Sequence, residues 1–318
     1  MTQSLALVFP GQGSQQVGML RELAERYSVV RTTFDEASGA LGYDLWKIVQ
    51  EGPAGALNAT ACTQPALLTS SVAIWRVWQE LEGPRPLVMA GHSLGEYSAM
   101  VCAGVISFAE GVRLVRLRGE AMQAAVPEGH GAMAAVLGLD DETVESACRE
   151  AAQDEVVAAV NYNAPGQVVI AGNKAAVDRA IALCQSAGAK RALPLPVSVP
   201  SHCSLMRPAA ERLSAEMDRL DLRTPRYAVV QNVDALEHDD VQTLSQRLVE
   251  QLYRPVRWTD CVNAMYERGA RVFVECGPGK VLTGLNKRIQ RQAKGLAVND
   301  PESLESALEL ARSEGEQS

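Results

Sequence analysis

The chain has 318 residues, of which 47% are hydrophobic and 21% are charged, as is ordinary for a globular enzyme with one large core or two smaller ones. Its net charge of −8 and the lack of a basic stripe argue against a nucleic-acid-binding protein. Seven scattered cysteines without a C-x-x-C pair indicate neither a disulfide framework nor a thiolate metal site. No segment resembles a signal peptide or a membrane span, so we expect a cytoplasmic protein that contacts neither a membrane nor nucleic acid.

Short apolar runs alternate with helical periods in both flanks of the chain, which predicts an α/β fold with a parallel sheet. The flanking strands are predicted at Leu5–Phe9, Leu87–Ala90, Tyr227–Asn232, Arg271–Glu275 and Leu296–Val298. The flanking helices are predicted at Gly95–Ala103, 110–125, Ala209–Leu220 and Trp258–Arg268.

The middle of the chain has a different order of elements. Its predicted strands and helices are, in chain order, Ala132–Leu139, Asp141–Ala152, Val156–Asn161, Gln167–Ala171, Lys174–Ala187 and Arg191–Val199. The order β-α-β-β-α-β is that of a ferredoxin-like subdomain, and two prolines favour an edge position for its last strand. We therefore predict a small subdomain at 127–199, inserted into a larger α/β domain formed by 1–126 and 200–318.

The stretch MAGHSLGEY, residues 89–97, places Ser93 between Gly91 and Gly95 where a strand is predicted to meet a helix. On such a sharp turn the serine Oγ is exposed, and the helix N-terminus presents free N–H groups to a developing oxyanion. Glycines on both sides remove side chains that would collide there. The alternative is an N-cap serine that only satisfies the first helical turn. The combined context favours a nucleophile.

A serine hydroxyl needs a base to become reactive, and the chain contains four histidines. His92 is next to the serine, and adjacent residues of such a turn point apart. His130 falls in a loop, and His238 lies in an acidic segment typical of a solvated surface. His202 follows a predicted strand and opens a helix, where its side chain can reach a cleft. A lone histidine is more often structural, but elimination and position favour His202 as the base.

The predicted helix at 110–125 carries an arginine on its apolar face. At 100° per residue, Arg118 shares that face with Leu114 and Met122, whereas Arg113 and Arg116 point to the opposite side. A buried arginine needs an anionic partner, because an unpaired buried charge is costly. The partner is either an internal carboxylate or a substrate carboxylate held by both arms of the guanidinium, unless the side chain reaches the solvent. The spacing does not choose between these alternatives.

Several motifs occur together in a specific order along the chain. They are FPGQGSQ near the N-terminus, TQPALLTSS from Thr63, GHSLGEYSA from Gly91, Arg118 on the next helix, VPSH ending at His202, and ECGPGKVLTGL from Glu275. In these motifs, from about residue 5 to 300, the chain resembles the malonyl-coenzyme A:acyl carrier protein transacylase family. The resemblance implies a hydrolase-like α/β domain that carries a ferredoxin-like insert, and an enzyme that supplies malonyl groups to fatty acid synthesis.

The resemblance also implies the parts of a catalytic dyad. Ser93 would carry the malonyl group as an oxygen ester, and His202 would take the proton of the serine and return it to the leaving thiolate. Gln251 would orient His202 through its main-chain carbonyl, so no acidic third member is needed.

Further residues are implied to bind the substrate. The backbone N–H groups of Gln12 and Leu94 would form the oxyanion hole, and Arg118 would hold the malonyl carboxylate. Gln64 and Asn163 would line the pocket, although each is equally well explained as a structural residue.

The implied reaction uses malonyl-CoA and the phosphopantetheine thiol of an acyl carrier protein, with no metal or other cofactor, and we expect a monomer. The alternatives are a serine thioesterase or hydrolase, an acyltransferase for methylmalonyl or another extender unit, and a non-catalytic module that only docks the carrier protein. Because carrier proteins are acidic, docking needs a local basic patch. Candidates are Lys287, Arg288, Arg291 and Lys294 on a late helix, or Lys190 and Arg191. The alternative is that these side chains are only solvated.

Overall fold

The computed structural model describes residues 4–197 and 199–316. In chain order, the strands are β1 (Leu5–Phe9), β2 (Val88–Gly91), β3 (Gly131–Leu137), β4 (Val157–Ala164), β5 (Gln167–Asn173), β6 (Arg191–Pro194), β7 (Ala228–Val230), β8 (Val272–Cys276) and β9 (Lys294–Val298). The helices are α1 (Arg21–Arg26), α2 (Ser28–Leu41), α3 (Leu45–Glu51), α4 (Ala54–Asn58), α5 (Thr60–Glu80), α6 (Leu94–Cys102), α7 (Phe108–Ala125), α8 (Asp141–Ala152), α9 (Lys174–Ser186), α10 (Arg207–Met217), α11 (Val241–Glu250), α12 (Trp258–Glu267), α13 (Val281–Ile289) and α14 (Pro301–Glu316).

The larger sheet is parallel and has the order β7-β2-β1-β8-β9. Helices cover both of its faces, so its strands are apolar at successive positions rather than at alternate ones. In β1, Leu5, Leu7 and Phe9 belong to one hydrophobic core, whereas Ala6 and Val8 belong to the core on the other face. All five strands predicted for the flanks form, with ends within two residues of the prediction.

The smaller sheet is antiparallel and has the order β4-β5-β3-β6. Its core lies between the strands and the helices α8 and α9, which confirms the ferredoxin-like arrangement within an α/β fold. Its opposite face carries Met133, Val160 and Val169, which pack beside Cys203 of the larger part of the chain. That the chain divides into two domains, 1–126 with 200–318 and 127–199, stays a prediction.

Two strand ends in the smaller sheet differ from the prediction by more than two residues. The edge strand β6 ends at Pro194 instead of Val199, because prolines at 194 and 196 have no N–H to donate to a ladder. Position 198 lies outside the described residues. The strand β4 continues to Ala164 through two register shifts, so Asn163 lies in a strand and the turn is confined to Pro165 and Gly166.

A cleft of about 780 Å³ lies between the two sheets, at the carboxyl ends of β1 and β2. The larger part of the chain contributes Gln12 and Ser93 to its wall, and the smaller sheet contributes Met133 and Asn163. This is the edge at which open parallel sheets commonly bind ligands. The topology therefore brings the predicted site residues to one place.

Candidate active site

Ser93 lies on a tight turn between β2 and α6, with φ 53° and ψ −108°. A side chain at φ > 0 is strained, and such strain persists only where the surroundings enforce it. The flanking glycines are required by close backbone contacts. A Cβ on Gly91 would lie 1.8 Å from the carbonyl carbon of Gly95, and a Cβ on Gly95 would lie 2.0 Å from the oxygen of Phe9. The turn places Ser93 in the wall of the cleft.

His202 contacts the Ser93 hydroxyl. Its Nε2 lies 2.8 Å from Ser93 Oγ, and its Nδ1 lies 2.7 Å from the main-chain oxygen of Gln251. A carbonyl can only accept a hydrogen bond, so Nδ1 carries the proton and the lone pair of Nε2 faces the hydroxyl. The backbone N–H of His202 donates to the oxygen of Leu252, which holds the main chain at this position.

The environment of His202 keeps it neutral. Burial and, after it, the positive charge of Arg118 lower the pKa of His202 to about 3. The imidazole is thus unprotonated at neutral pH and can accept the proton of Ser93, as a general base must.

Gln12 and Leu94 line the cleft together with Ser93. Leu94 begins α6, and Gln12 lies in the loop after β1. That loop packs tightly on the turn, since a Cβ on Gly11 would lie 2.6 Å from the oxygen of His92. Within the described residues, neither the N–H of Gln12 nor that of Leu94 has a hydrogen-bond acceptor. Both are therefore available to an oxyanion, the role predicted for them.

Arg118 is 1% exposed, so its side chain does not reach the solvent. Its Nη1 donates to Gln64 Oε1 at 2.9 Å, and its Nη2 donates to Gln251 Oε1 at 3.0 Å and to Ser93 Oγ at 3.3 Å. The guanidinium carbon also lies 5.1 Å from the centre of the Tyr97 ring.

All of these partners of Arg118 are neutral. No carboxylate oxygen of the described chain lies within 4.0 Å of the guanidinium, and its Nε has no hydrogen-bond partner there. The internal salt bridge, one of the alternatives that the sequence left open, is absent from this region. The site thus holds a buried positive charge, next to the reactive hydroxyl, that no protein carboxylate neutralises in direct contact.

The remaining predicted pocket residues have specific partners. Asn163 Oδ1 lies 2.7 Å from His92 Nε2, and both line the cleft. The side chain of Gln64 is fully buried and holds Arg118 without lining the cleft itself. Among the other histidines, His130 is exposed and His238 pairs with Asp234 at the surface.

The sequence reasoning missed two residues behind Ser93. Asn232, which follows β7, accepts the N–H of Ser93 through its Oδ1 at 2.8 Å. Glu96 is fully buried in the first turn of α6 and binds Asn232 and Gln251. No local signal identifies either residue, because their partners are 19 to 155 residues away along the chain.

Neither a metal centre nor a membrane span was found in the part of the chain that the structure covers. No group of three or more histidine, cysteine, aspartate or glutamate side chains there is placed to hold a metal ion. None of the described helices is long and apolar enough to cross a membrane.

Comparisons with known proteins identify the family of this chain. The family model of the acyl transferase domain matches residues 6–308. A protein of Escherichia coli (strain K12) named malonyl CoA-acyl carrier protein transacylase is 59% identical over 310 residues, covering 98% of this chain and 100% of that protein. A crystal structure of an acyl carrier protein S-malonyltransferase from Vibrio cholerae has a TM-score of 0.94 and 59% identity, covering 95% of this chain and 99% of that one.

A further similar structure contains a partner. It is described as a type II PKS acyl-carrier protein in complex with its malonyl-transacylase. Its TM-score is 0.96 and its identity 57%, covering 96% of this chain and 99% of that one.

Proposed function

This chain belongs to the acyl transferase domain family, and from that premise we propose that it transfers malonyl groups from malonyl-CoA to the phosphopantetheine thiol of an acyl carrier protein, in support of fatty acid synthesis. The observation that carries the malonyl assignment is the buried Arg118 guanidinium 3.3 Å from Ser93 Oγ, with only neutral partners. Malonyl ends in a carboxylate, and a planar guanidinium binds a carboxylate with two parallel hydrogen bonds.

The first half-reaction loads the enzyme. Ser93 Oγ attacks the thioester carbon of malonyl-CoA while His202 Nε2 takes the hydroxyl proton. The N–H groups of Gln12 and Leu94 stabilise the negative oxygen of the tetrahedral intermediate. The C–S bond then breaks, His202 returns the proton to the sulfur, and CoA leaves as a thiol.

The second half-reaction reverses these roles. The phosphopantetheine thiol gives its proton to His202 and attacks the ester carbon of malonyl-Ser93. The intermediate collapses with cleavage of the C–O bond, and His202 protonates Ser93 Oγ. The reaction needs no metal or other cofactor, because the imidazole and the two N–H groups supply both proton transfer and charge stabilisation.

The partner of His202 supports transfer over hydrolysis. A neutral carbonyl, that of Gln251, holds Nδ1 at 2.7 Å, where a serine hydrolase triad has a carboxylate. A carbonyl stabilises an imidazolium less than a carboxylate would, which suits exchange between thiols better than attack by water.

The assay follows the acyl group to its acceptor. The enzyme is mixed with malonyl-, methylmalonyl- or acetyl-CoA, with holo acyl carrier protein or with buffer alone, and the acylated carrier protein and the free acid are quantified. We expect malonyl-carrier protein as the main product. Preferential release of malonate in the presence of carrier protein would identify a hydrolase, and a preference for methylmalonyl-CoA would assign a different extender unit.

The docking surface for the carrier protein is proposed beside the mouth of the cleft. Lys287, Arg288 and Arg291 are exposed and surround a surface pocket with Pro165. Lys287 and Arg288 lie on α13, which starts with the exposed Val281, a residue that lines the cleft. Arg291, predicted on the same helix, instead lies in the turn that follows it.

The second basic group lies near the turn formed by Pro165 and Gly166. Lys190 is exposed and packs on Gly138, whose N–H donates to the oxygen of Gly166. Lys294, predicted on the late helix, instead lies in β9. An acidic carrier protein would thus meet positive charge next to the opening that its phosphopantetheine arm must enter.

Charge reversal tests this surface. We expect Lys287→Glu combined with Arg291→Glu to raise the KM for carrier protein about tenfold or more, because rim charges act mainly on association. Loading of Ser93 from malonyl-CoA should stay within about twofold of the wild type. Arg31→Glu on α2 is the control, as an exposed cation that does not line the cleft. An unchanged KM for carrier protein in the double variant would exclude this surface.

We further propose that the enzyme is a cytoplasmic monomer. Ser93, His202 and Arg118 come together within one chain, which supports an active monomer. Sedimentation of the active enzyme would test the oligomeric state, and cell fractionation would test the location.

A further inference from the structure

Glu96 is a buried carboxylate that the proposed reaction does not use. It is 0% exposed, and it accepts three hydrogen bonds from neutral donors. Gln231 Nε2 lies 3.0 Å from its Oε1, while the N–H of Asn232 and the Nε2 of Gln251 lie 3.0 and 2.9 Å from its Oε2. No cation of the described residues lies within 4.0 Å of it. A buried charge without an ion partner is costly, so the ionised carboxylate of Glu96 depends on these hydrogen bonds.

Both residues bound to Glu96 Oε2 continue to the backbone of Ser93. The Oδ1 of Asn232 accepts the N–H of Ser93 at 2.8 Å, and its Nδ2 donates to the oxygen of Gly91 at 2.7 Å. The Nε2 of Gln251 donates to the oxygen of Ser93 at 2.9 Å. The amides of Asn232 and Gln251 therefore hold the two peptide groups that flank the Ser93 side chain.

The same amide of Gln251 reaches Arg118. Its Oε1 accepts from Arg118 Nη2 at 3.0 Å, while the acceptors around its Nε2 include Glu96. Since Glu96 can only accept and Arg118 can only donate, the two residues fix the orientation of the amide. Turning the amide would break both bonds.

We propose that Glu96 is a positioning residue for Ser93: its carboxylate holds the amides of Asn232 and Gln251, which keep the nucleophile in its strained backbone conformation. Ser93 has φ 53° and ψ −108°, a conformation that a non-glycine residue keeps only when its peptide groups are held from several sides. The proposal rests on the nucleophilic role given to Ser93 under the proposed function, but not on the identity of the acyl group.

The charge state of Glu96 fits this role. Burial raises the pKa of Glu96 to about 7, while the hydrogen bonds from Gln231, Gln251 and Asn232 oppose that rise. Above pH 7 the carboxylate is ionised, so that all three donors keep an acceptor. The test is therefore made at pH 8.

The test measures how fast Ser93 reacts with a fluorophosphonate probe, which phosphonylates an activated serine and needs neither malonyl-CoA nor carrier protein. In Glu96→Ala, the buried donors of Asn232 and Gln251 lose their shared acceptor. We expect labelling to slow by roughly tenfold to a hundredfold.

Glu96→Gln is the conservative variant. Its amide oxygen can take the place of Oε2. Its NH2 group can donate to Gln231 Oε1, which has no partner within the described structure, once the Gln231 amide turns over and gives up the bond of its Nε2 to the oxygen of Leu244. We expect labelling within about threefold of the wild type, because the two essential contacts remain.

Thr33→Val controls for lost stability alone. Thr33 is fully buried in α2 and its hydroxyl donates to Val29, away from the cleft. This variant should unfold at a lower temperature but label at the wild-type rate. All rates are compared well below the unfolding temperatures.

The outcomes separate the two roles of Glu96. Slow labelling of folded Glu96→Ala with rescue by Glu96→Gln supports positioning. Labelling of Glu96→Ala at the wild-type rate, or equally slow labelling of both variants, would overturn it. If Glu96→Ala does not fold, Glu96→Asp replaces it, since the shorter side chain cannot hold both amides: slow labelling supports the proposal and a wild-type rate overturns it. A wild type that labels but transfers no malonyl would refute the proposed function alone.

Discussion

Replacing Arg118 with methionine removes the guanidinium charge but keeps a side chain of similar length. The arginine is 1% exposed and contacts only neutral groups, so a malonyl carboxylate would be its one directly bound anion. Removing one member of a buried, hydrogen-bonded charge pair costs about 2–5 kcal/mol. At 1.36 kcal/mol for each tenfold change, kcat/KM for malonyl-CoA should fall roughly thirtyfold to several thousandfold.

Transfer of acetyl groups should behave differently in Arg118→Met. Acetyl has no carboxylate to bind, so kcat/KM for acetyl-CoA should stay the same or rise. Arg113→Met is the matched control, because it removes the same charge from an exposed position on α7. Both variants are assayed with malonyl-CoA and acetyl-CoA as donors. Equal losses for the two donors in Arg118→Met would show that Arg118 is structural and would refute its role in selectivity.

Three further predictions concern the base and the residue that orients it. Because burial and Arg118 lower the pKa of His202 to about 3, the rate of Ser93 acylation in Glu96→Gln, where residue 96 no longer titrates, should be nearly unchanged from pH 7 to pH 5, whereas an apparent pKa near 6.5 in that profile would contradict this. On acidification the unfolded state binds a proton first, because its histidine keeps the ordinary pKa while that of folded His202 is lowered. Calorimetry should therefore show that the free energy of unfolding falls by about 3 kcal/mol more in the wild type than in His202→Asn between pH 6.5 and 4. Gln251→Ala removes the side-chain contact with Arg118 but keeps the main-chain carbonyl that accepts from His202. Steady-state kinetics should therefore show roughly a tenfold loss in kcat/KM for malonyl-CoA with an unchanged pH profile. A shifted profile would mean that the side chain also holds the imidazole.

The fold followed from the sequence where burial dictates composition. Strands covered on both faces must be apolar throughout, so β1 and β8 were recognisable as short apolar runs. Strand ends were less accessible, since they depend on partners in the sheet. The strand β4 keeps Asn163 because β5 continues to pair with it, and β6 ends early because its prolines cannot donate.

The site was accessible from the sequence where the chemistry is local. The glycines around Ser93 and the arginine on an apolar helix face can both be recognised in the sequence. Whether Arg118 pairs with a protein carboxylate depends on residues 54 and 133 positions away, and only the structure shows that its acceptors are amides.

Glu96 illustrates the opposite case. A glutamate in the first turn of a helix is normally a solvated residue that favours the helix dipole, so nothing local indicates a buried one. Its position beneath Ser93 arises because Asn232 and Gln251 arrive from distant strands and helices.

The role of Ser93 as carrier of the acyl group is tested by the mass of the intact protein after brief mixing with malonyl-CoA, followed by peptide mapping. We expect the addition of one malonyl group, located on Ser93, absent from Ser93→Ala, and discharged by holo acyl carrier protein faster than by water. A malonyl group on another residue, or transfer to carrier protein with an unmodified and dispensable Ser93, would contradict it.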